Sequence, residues 1–324
     1  MHAQMSILRD IIYGSIPHGA DFQRICAALG LDPQDLNDSE RLVPFKPAAE
    51  VWDVVIAETK NLFLGLQLGE KINPSILGLM GYLMQSSRTL HEAISVLARF
   101  NDLHSTMMKY RIETSGDVVL IHYEPAVLWQ HQYPESVRQS IELAMSAMVT
   151  LFKTLSGKNV FPVKVELPYP ARDIREYERI FRSSIVFRAK QSALTFAKRD
   201  FMAPIGSYDK SLLARFEEIL EMKLKSLNGQ TNFIDRISQA ILLDFKGNAP
   251  AMEVIASHLN MTPRSVQRKL KEEDTTYREI SGRFKKELAE VVLKNAVFRV
   301  SEVANLLGYS DSSAFRKALK RWNH

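Results

Sequence analysis

The feature of this 324-residue chain that most restricts its fold is a weak internal repeat near the C-terminus. Residues 255–262 resemble residues 303–310, so that Ala256, for example, corresponds to Ala304 at a spacing of 48 positions. In each copy an apolar helical stretch is followed by a short turn and a second helix. A small residue lets the two helices of such a unit cross closely, as in a helix-turn-helix. The repeat therefore predicts an all-α region that contains two helix-turn-helix units.

Each second helix of the repeat carries a start signal. Thr262 and Ser310 are residue types that cap helix N-termini with a side-chain oxygen. Pro263 follows the first cap and suits the opening helical position, while Asp311 follows the second and favours the positive end of a helix. These signals predict where both second helices begin, and they do so without reference to the repeat.

The outward faces of these two helices are polar and rich in basic residues. Val266 and Leu270 should face inward in the first unit, as should Phe315 and Leu319 in the second. The residues that are then left outward are Arg264, Ser265, Gln267, Arg268, Lys271, Ser312, Ser313, Arg316, Lys317 and Lys320. Such side chains hydrogen-bond to base edges and phosphates, and we predict that they contact DNA. Many exposed helices carry similar residues, so the prediction depends on their occurrence in two matched units.

A connecting helix is predicted between the two units. Apolar residues recur at helical spacing over residues 277–296, and 20 helical residues would span about 30 Å. That length approaches the ~34 Å that separates successive major grooves on one face of DNA. A single chain of this design can therefore reach two grooves. Gly282 lies inside the helix and costs it about 1 kcal/mol.

The positive charge of the chain is confined to the same end. From Gly229 onward there are 16 basic and 11 acidic residues, an excess of five that equals the net charge of +5 of the whole chain. A positive potential in one domain suits a polyanionic partner, because each neutralised phosphate releases condensed counterions. The polar segment 228–232 coincides with this change in charge. We therefore predict two domains, 1–228 and 229–324.

The first domain is expected to have an α+β fold. Its N-terminal part is mostly helical by spacing, and later helices are predicted at 134–155, 174–181 and 211–227. Strands are predicted at 108–113, 118–123, 160–167, 185–188 and 193–196. Gly116 lies in the turn of a predicted hairpin, and Gly157 is expected to end the long helix. Helices followed by a small antiparallel sheet are typical of the α+β class.

Two segments of the second domain carry a family resemblance. Residues 309–322, Tyr-Ser-Asp-Ser-Ser-Ala-Phe-Arg-Lys-Ala-Leu-Lys-Arg-Trp, resemble the signature of the AraC/XylS family of bacterial regulators. Residues 261–270, Met-Thr-Pro-Arg-Ser-Val-Gln-Arg-Lys-Leu, resemble the first recognition helix of that family. The resemblance implies binding to double-stranded promoter DNA and contact with RNA polymerase. The family pattern usually continues beyond the position of Trp322, whereas this sequence ends at His324.

The first domain resembles the N-terminal domain of ornithine-utilisation and VirS-type regulators. Four segments carry this likeness, at 30–33, 64–69, 78–83 and 89–93. It implies sensing of a small-molecule effector or formation of a homodimer, and it names no ligand. The aromatic residues that are candidates for an effector pocket are Tyr82, Phe100, Tyr110 and Trp129. Aromatic side chains at such positions are more often plain core.

The motifs of common enzymes and metal sites are absent from the sequence. It has no Gly-rich phosphate loop, no Gly-x-Ser-x-Gly elbow and no His-Glu-x-x-His helix. Cys26 is the only cysteine, so a disulfide or a Cys-rich zinc site cannot form within one chain. No apolar run has the length of a membrane helix. We expect a cytoplasmic protein of the bacterial nucleoid that is not an enzyme and uses no cofactor or metal.

Two kinds of regulator remain open. In one, the first domain binds a small effector and the second activates or represses a promoter. In the other, the protein binds DNA constitutively and its first domain recruits a protein partner. An enzyme fused to a DNA-binding domain is a third, less supported possibility. The sequence does not distinguish activation from repression.

Overall fold

The computed structural model describes residues 1–229, 233–241, 245, 249–294 and 317. Contacts divide the chain into two compact units, Met1–Leu220 and Glu221–His324. The predicted second helix-turn-helix, at residues 303–320, lies outside the described residues except for Lys317, which is helical and exposed. The domain boundary at residue 228 stays a prediction.

The first unit is mainly helical, as its apolar spacing predicts. Its helices, the last of which continues beyond the unit, are α1 (Met5–Ser15), α2 (Phe22–Leu29), α3 (Phe45–Thr59), α4 (Leu64–Gly69), α5 (Gly78–Gln85), α6 (Leu90–Phe100), α7 (Val127–Gln132), α8 (Pro134–Ser156), α9 (Ile174–Phe181), α10 (Lys198–Phe201) and α11 (Lys210–Leu227). Short 3-10 helices cover Ile16–His18, Pro33–Asn37, Pro74–Leu77 and Asn101–Leu103.

The strands of the first unit form two sheets. They are β1 (His2–Gln4), β2 (Leu42–Pro44), β3 (Met108–Ser115), β4 (Val118–Pro125), β5 (Lys164–Leu167), β6 (Ser184–Phe187) and β7 (Ser192–Ala197). The larger sheet has the order β3-β4-β7-β5-β6. Its pairings are antiparallel, as expected, except that β5 and β6 run parallel. Helix α9 joins these two strands, and parallel neighbours require such a crossover.

Local signals at two glycines are confirmed. Ser115 pairs with Val118, so Gly116 and Asp117 form a two-residue hairpin turn in which Gly116 has a φ of 58°. Helix α8 ends at Gly157, which has a φ of 69° and whose N–H donates to the Lys153 carbonyl oxygen. Helix α8 is buried along most of its length and packs against α3, α4, α6 and α9, so it is the central helix of the unit.

Two glycines allow the short helix α4 to approach α8 closely. A Cβ atom at Gly65 would collide with the Gln139 carbonyl oxygen, and one at Gly69 would collide with the Leu143 carbonyl oxygen. Side chains of α8 satisfy backbone groups at both ends of α4. The Gly65 N–H donates to Gln139 Oε1 at 2.8 Å, and Ser146 Oγ donates to the Leu66 carbonyl oxygen at 2.7 Å.

The described part of the second unit is helical. Its helices are α12 (Phe233–Gln239), α13 (Met252–His258), α14 (Pro263–Glu272) and α15 (Tyr277–Lys294). They share a core that includes Ile237, Ile255, Ala256, Val266 and Leu270. Burial of Val266 and Leu270 confirms the predicted inward face of α14.

The turn and the caps of this region follow from residue type. Asn260 has a φ of 54°, a left-handed conformation that asparagine tolerates, and the sequence repeat assigns Gly308 to the equivalent position. Thr262 caps α14 by accepting a hydrogen bond from the Ser265 N–H at 3.2 Å, as predicted. Thr276 and Glu279 form a reciprocal capping box at the start of α15, which the sequence analysis did not identify.

Candidate functional site

A cavity of about 450 Å³ lies inside the first unit. Residues of α1, α3, α6, α8 and β3 contribute to its wall, together with Leu68 of α4 and Trp129 of α7. Most of the lining is apolar and buried, and Trp52, Leu97, Met107 and Met148 are examples. A concave, mainly apolar space of this size is typical of small-molecule sites. Tyr13 and Lys71 also line the cavity and are exposed, so they mark its solvent side.

The structure brings two of the four candidate pocket residues to this cavity. Tyr110 and Trp129 both line it. Phe100 is fully buried and is not among the lining residues. Tyr82 is 51% exposed and lies near Phe216, with 6.0 Å between ring centroids. The role of the four residues in effector binding stays a prediction, and the geometry favours Tyr110 and Trp129.

The N–H groups of several lining side chains are already used within the protein. Trp52 Nε1 donates to Ser140 Oγ at 2.7 Å, and Trp129 Nε1 donates to Ser136 Oγ at 3.1 Å. Asn101 Nδ2 donates to the carbonyl oxygens of Ser105 and Met108, at 2.7 and 2.6 Å. These bonds fix the positions of side chains that come from α3, α7 and the segment that precedes β3.

Asp10 and His104 in the wall have strongly shifted pKa values. Burial raises the pKa of the Asp10 carboxyl to about 6, and nearby Arg9 opposes part of that shift. Burial also lowers the pKa of His104 to about 4, so its imidazole is neutral at physiological pH. Its Nδ1 lies 2.8 Å from Gln4 Oε1. Neither residue was predicted from the sequence as part of a site. Asp10 has one usable signal, because it lies three residues after Ile7 and four before Gly14, on the apolar face of α1.

The exposed face of α14 presents the predicted DNA contacts of the first unit of the repeat. Arg264, Gln267, Arg268 and Lys271 are exposed. Ser265 is half-buried, and its hydroxyl lies 2.9 Å from Thr262 Oγ1, so it takes part in capping the helix. The other four side chains are available to a partner.

Two basic residues of α14 make contacts within the protein. Lys269 packs over the Phe233 ring, with its Nζ 5.4 Å from the ring centroid. Arg268 is only loosely paired, since its Nε lies 3.9 Å from Glu272 Oε1 and both side chains are largely exposed. Such a pair contributes little to stability and leaves the Arg268 guanidinium free to rearrange. Of the second set of predicted contacts, Ser312, Ser313, Arg316 and Lys320 lie outside the described residues.

Neither a metal site nor a membrane-spanning helix is found among the described residues. Across the described ranges, no three histidine, cysteine, aspartate or glutamate side chains are placed to hold a metal ion. None of the described helices is both long enough and apolar enough to cross a membrane.

Comparison with known proteins identifies the family. The family described as the arabinose-binding domain of AraC transcription regulators, N-terminal, matches residues 19–205. The ornithine utilization regulator of Pseudomonas aeruginosa is 28% identical over 80% of this chain and 75% of its own length. The regulator VirS of Mycobacterium tuberculosis is 24% identical over the same shares of each chain. The crystal structure of the transcriptional regulator CdpR from Pseudomonas aeruginosa covers 93% of each chain, with 24% identity and a TM-score of 0.48. The chain belongs to the AraC family of DNA-binding transcription regulators.

Proposed function

We propose that this protein is a one-component regulator in which a small molecule bound in the cavity of the first unit controls binding of the second unit to promoter DNA. The observation that carries the proposal is the partly open, mainly apolar cavity among α1, α3 and α8, in a domain of the matched family. A space that excludes water on most sides and has few polar groups favours an organic ligand. The alternative, a constitutive DNA-binding protein with a recruited protein partner, does not require the cavity to be occupied.

DNA recognition is assigned in this proposal to α14 and to the second predicted recognition helix. Arg264, Gln267 and Arg268 can make paired hydrogen bonds to guanine or adenine in the major groove. Ser312 and Ser313 have short hydroxyls that discriminate less between bases. Sequence preference should therefore depend mainly on the half-site under α14. Contact with RNA polymerase and homodimerisation are further parts of the proposal, as are cytoplasmic localisation and the domain boundary at residue 228.

Replacing Arg268 with alanine is expected to remove base preference at one position of the binding site. A paired arginine–guanine contact contributes about 1 to 3 kcal/mol of discrimination, which corresponds to roughly 5- to 150-fold in relative affinity. The change should not affect folding, because the side chain is 74% exposed. Binding sites selected from a random DNA pool, followed by single base substitutions, give the measurement.

The matched control is Arg199→Ala, which removes an 88% exposed arginine of the first unit and should leave base preference unchanged. Lys320→Ala should instead weaken binding about equally on all sequences, as loss of a phosphate contact does. If Arg268→Ala retained the full preference of the parent protein, α14 would not be the helix that reads bases.

Filling the cavity is expected to abolish binding of a small-molecule ligand without affecting DNA binding of the unliganded protein. Ala144 lies on α8 and lines the cavity, so Ala144→Phe places a ring in the ligand space. A ligand present at 100 times its Kd stabilises the folded protein by about 2.7 kcal/mol. A thermal-shift screen against metabolites should give hits with the parent protein that are lost in the variant.

Ala171→Phe is the control, because Ala171 is exposed and lies outside the cavity. Ala171→Phe should bind every ligand that the parent protein binds in the thermal-shift screen. Hits that survive in Ala144→Phe would show that ligands bind elsewhere. An effect of Ala144→Phe on DNA binding without ligand would indicate that the substitution disturbs the fold.

A further inference from the structure

We propose that the ligand of this cavity is an apolar molecule that carries a hydrogen-bond donor, an amine or a hydroxyl, and that Asp10 recognises this donor. The inference rests on the proposed function and names the chemical class of the ligand. Some polar groups of the wall are already paired within the protein, and others still lack a partner.

The side-chain N–H donors of Trp52, Trp129 and Asn101 are used within the protein. The indole N–H groups of Trp52 and Trp129 bond to serine hydroxyls of α8. Both N–H groups of the Asn101 amide bond to backbone carbonyl oxygens. A ligand that offers only acceptors, such as a carboxylate or a ketone, finds none of these donors available. The hydroxyls of Tyr110 and Ser140 can donate or accept, so they do not discriminate between ligand classes.

One acceptor of the wall is in the opposite situation. Asp10 lines the cavity with a side chain that is 28% exposed, and within the described part of the chain its carboxylate accepts no hydrogen bond. A ligand in the cavity that brings a donor can supply the missing hydrogen bond.

Charge also argues against a carboxylate ligand. Asp10 lies in the wall with its Oδ1 3.8 Å from Arg9 Nε, an ion pair too long for a hydrogen bond. A second carboxylate in the same low-dielectric space would repel the Asp10 carboxylate. Lys71 is the cation on the solvent side of the cavity, and its exposure means that water already solvates its charge. An acidic ligand that binds beside Lys71 therefore gains less free energy than a ligand whose donor binds Asp10.

The test uses three probes with the same apolar body on the full-length protein. These are 4-phenylbutylamine, 4-phenylbutanol and 4-phenylbutyrate, with affinities measured by isothermal titration calorimetry at pH 7.5. The amine and the alcohol should bind at least tenfold more tightly than the carboxylate. Asp10→Asn should weaken amine binding by at least tenfold and alcohol binding less, because the amide retains an acceptor oxygen but loses the charge.

Two controls accompany these measurements. Asp53→Asn makes the same change at an exposed position of α3 that does not line the cavity, and it should leave all three affinities unchanged. Asp10→Asn is nearly isosteric and replaces a carboxyl that burial already drives toward its neutral form, so the variant should fold. Its unfolding transition without ligand verifies this.

The possible results distinguish failure of the donor inference from failure of the proposed function. Equal or tighter binding of 4-phenylbutyrate, or an unchanged amine affinity in Asp10→Asn, overturns the donor inference while the cavity remains a ligand site. Absence of binding by all three probes overturns the inference and also counts against the proposed function. Preferred binding of the amine and alcohol that depends on Asp10 supports both.

Discussion

Raising the salt concentration from 50 to 200 mM is expected to weaken binding of the full-length protein to its DNA site by about 150- to 1,800-fold. This range assumes that the protein neutralises roughly four to six phosphates. The binding constant then falls as the salt concentration raised to a power of about 0.9 for each neutralised phosphate. The exposed cations Arg264, Arg268 and Lys271 on α14 supply part of that number. The basic residues of the second repeat, among them the exposed Lys317, supply the rest.

The distribution of charge explains why this dependence should originate in one part of the chain. Residues from Gly229 onward hold the whole net charge of +5, and the preceding part of the sequence is neutral. Fluorescence anisotropy on a labelled duplex across a salt series gives the slope. Binding of 4-phenylbutylamine to the same protein is an internal control, because one charge pair in a cavity should depend far less on salt. A DNA affinity that changed less than fivefold over this range would contradict recognition of two grooves.

Features that depend on local sequence could be predicted. The Gly116 turn, the end of α8 at Gly157 and the cap of α14 at Thr262 each depend on residues close together in the chain. Apolar spacing gave the inward face of α14 in the same way. Such signals work because dihedral preference and side-chain capping are decided within a few residues.

Features that depend on long-range packing could not be predicted. Strands β1 and β2 have three residues each, too few for an alternating pattern, and they pair across about forty positions. Parallel pairing of β5 with β6 was not predicted, although the predicted order of strand, helix and strand over residues 160–188 is typical of a parallel pair. In the cavity, Asp10 and His104 come from segments more than ninety residues apart. Contacts between the strand β1, which precedes α1, and the segment that follows α6 bring the two residues into one wall, and there the Gln4 N–H donates to the His104 carbonyl oxygen.

Aromatic content alone does not distinguish core from cavity wall. Phe100 and Tyr110 are both aromatic and near in sequence, but Phe100 is enclosed on all sides. Tyr110 is placed by the sheet, since its partner in β4 is Tyr123 and the two rings meet edge to face at 5.4 Å. Met108 and Tyr110 are two positions apart in β3, so their side chains share one face of the sheet, and both line the cavity.

Replacing Gly65 with alanine is expected to lower the free energy of unfolding of the first unit by about 3 kcal/mol, which corresponds to a fall in Tm of roughly 6 to 12 °C. The added Cβ would collide with the Gln139 carbonyl oxygen, which belongs to the backbone of a long buried helix and cannot rotate away. Relief requires α4 to move off α8. That movement would stretch the hydrogen bonds from Gly65 N–H to Gln139 and from Ser146 to the Leu66 carbonyl oxygen.

The control is Gly206→Ala, since a Cβ at Gly206 meets no atom within 4 Å and its φ is not in the left-handed region. Calorimetry on the full-length protein should show the lower Tm only in the transition of the first unit. Leu68 of α4 and Ala144 of α8 both line the cavity, so Gly65→Ala should also weaken binding of 4-phenylbutylamine. Equal Tm values for the two glycine variants would mean that α4 and α8 are not in the close contact that positions this wall of the cavity.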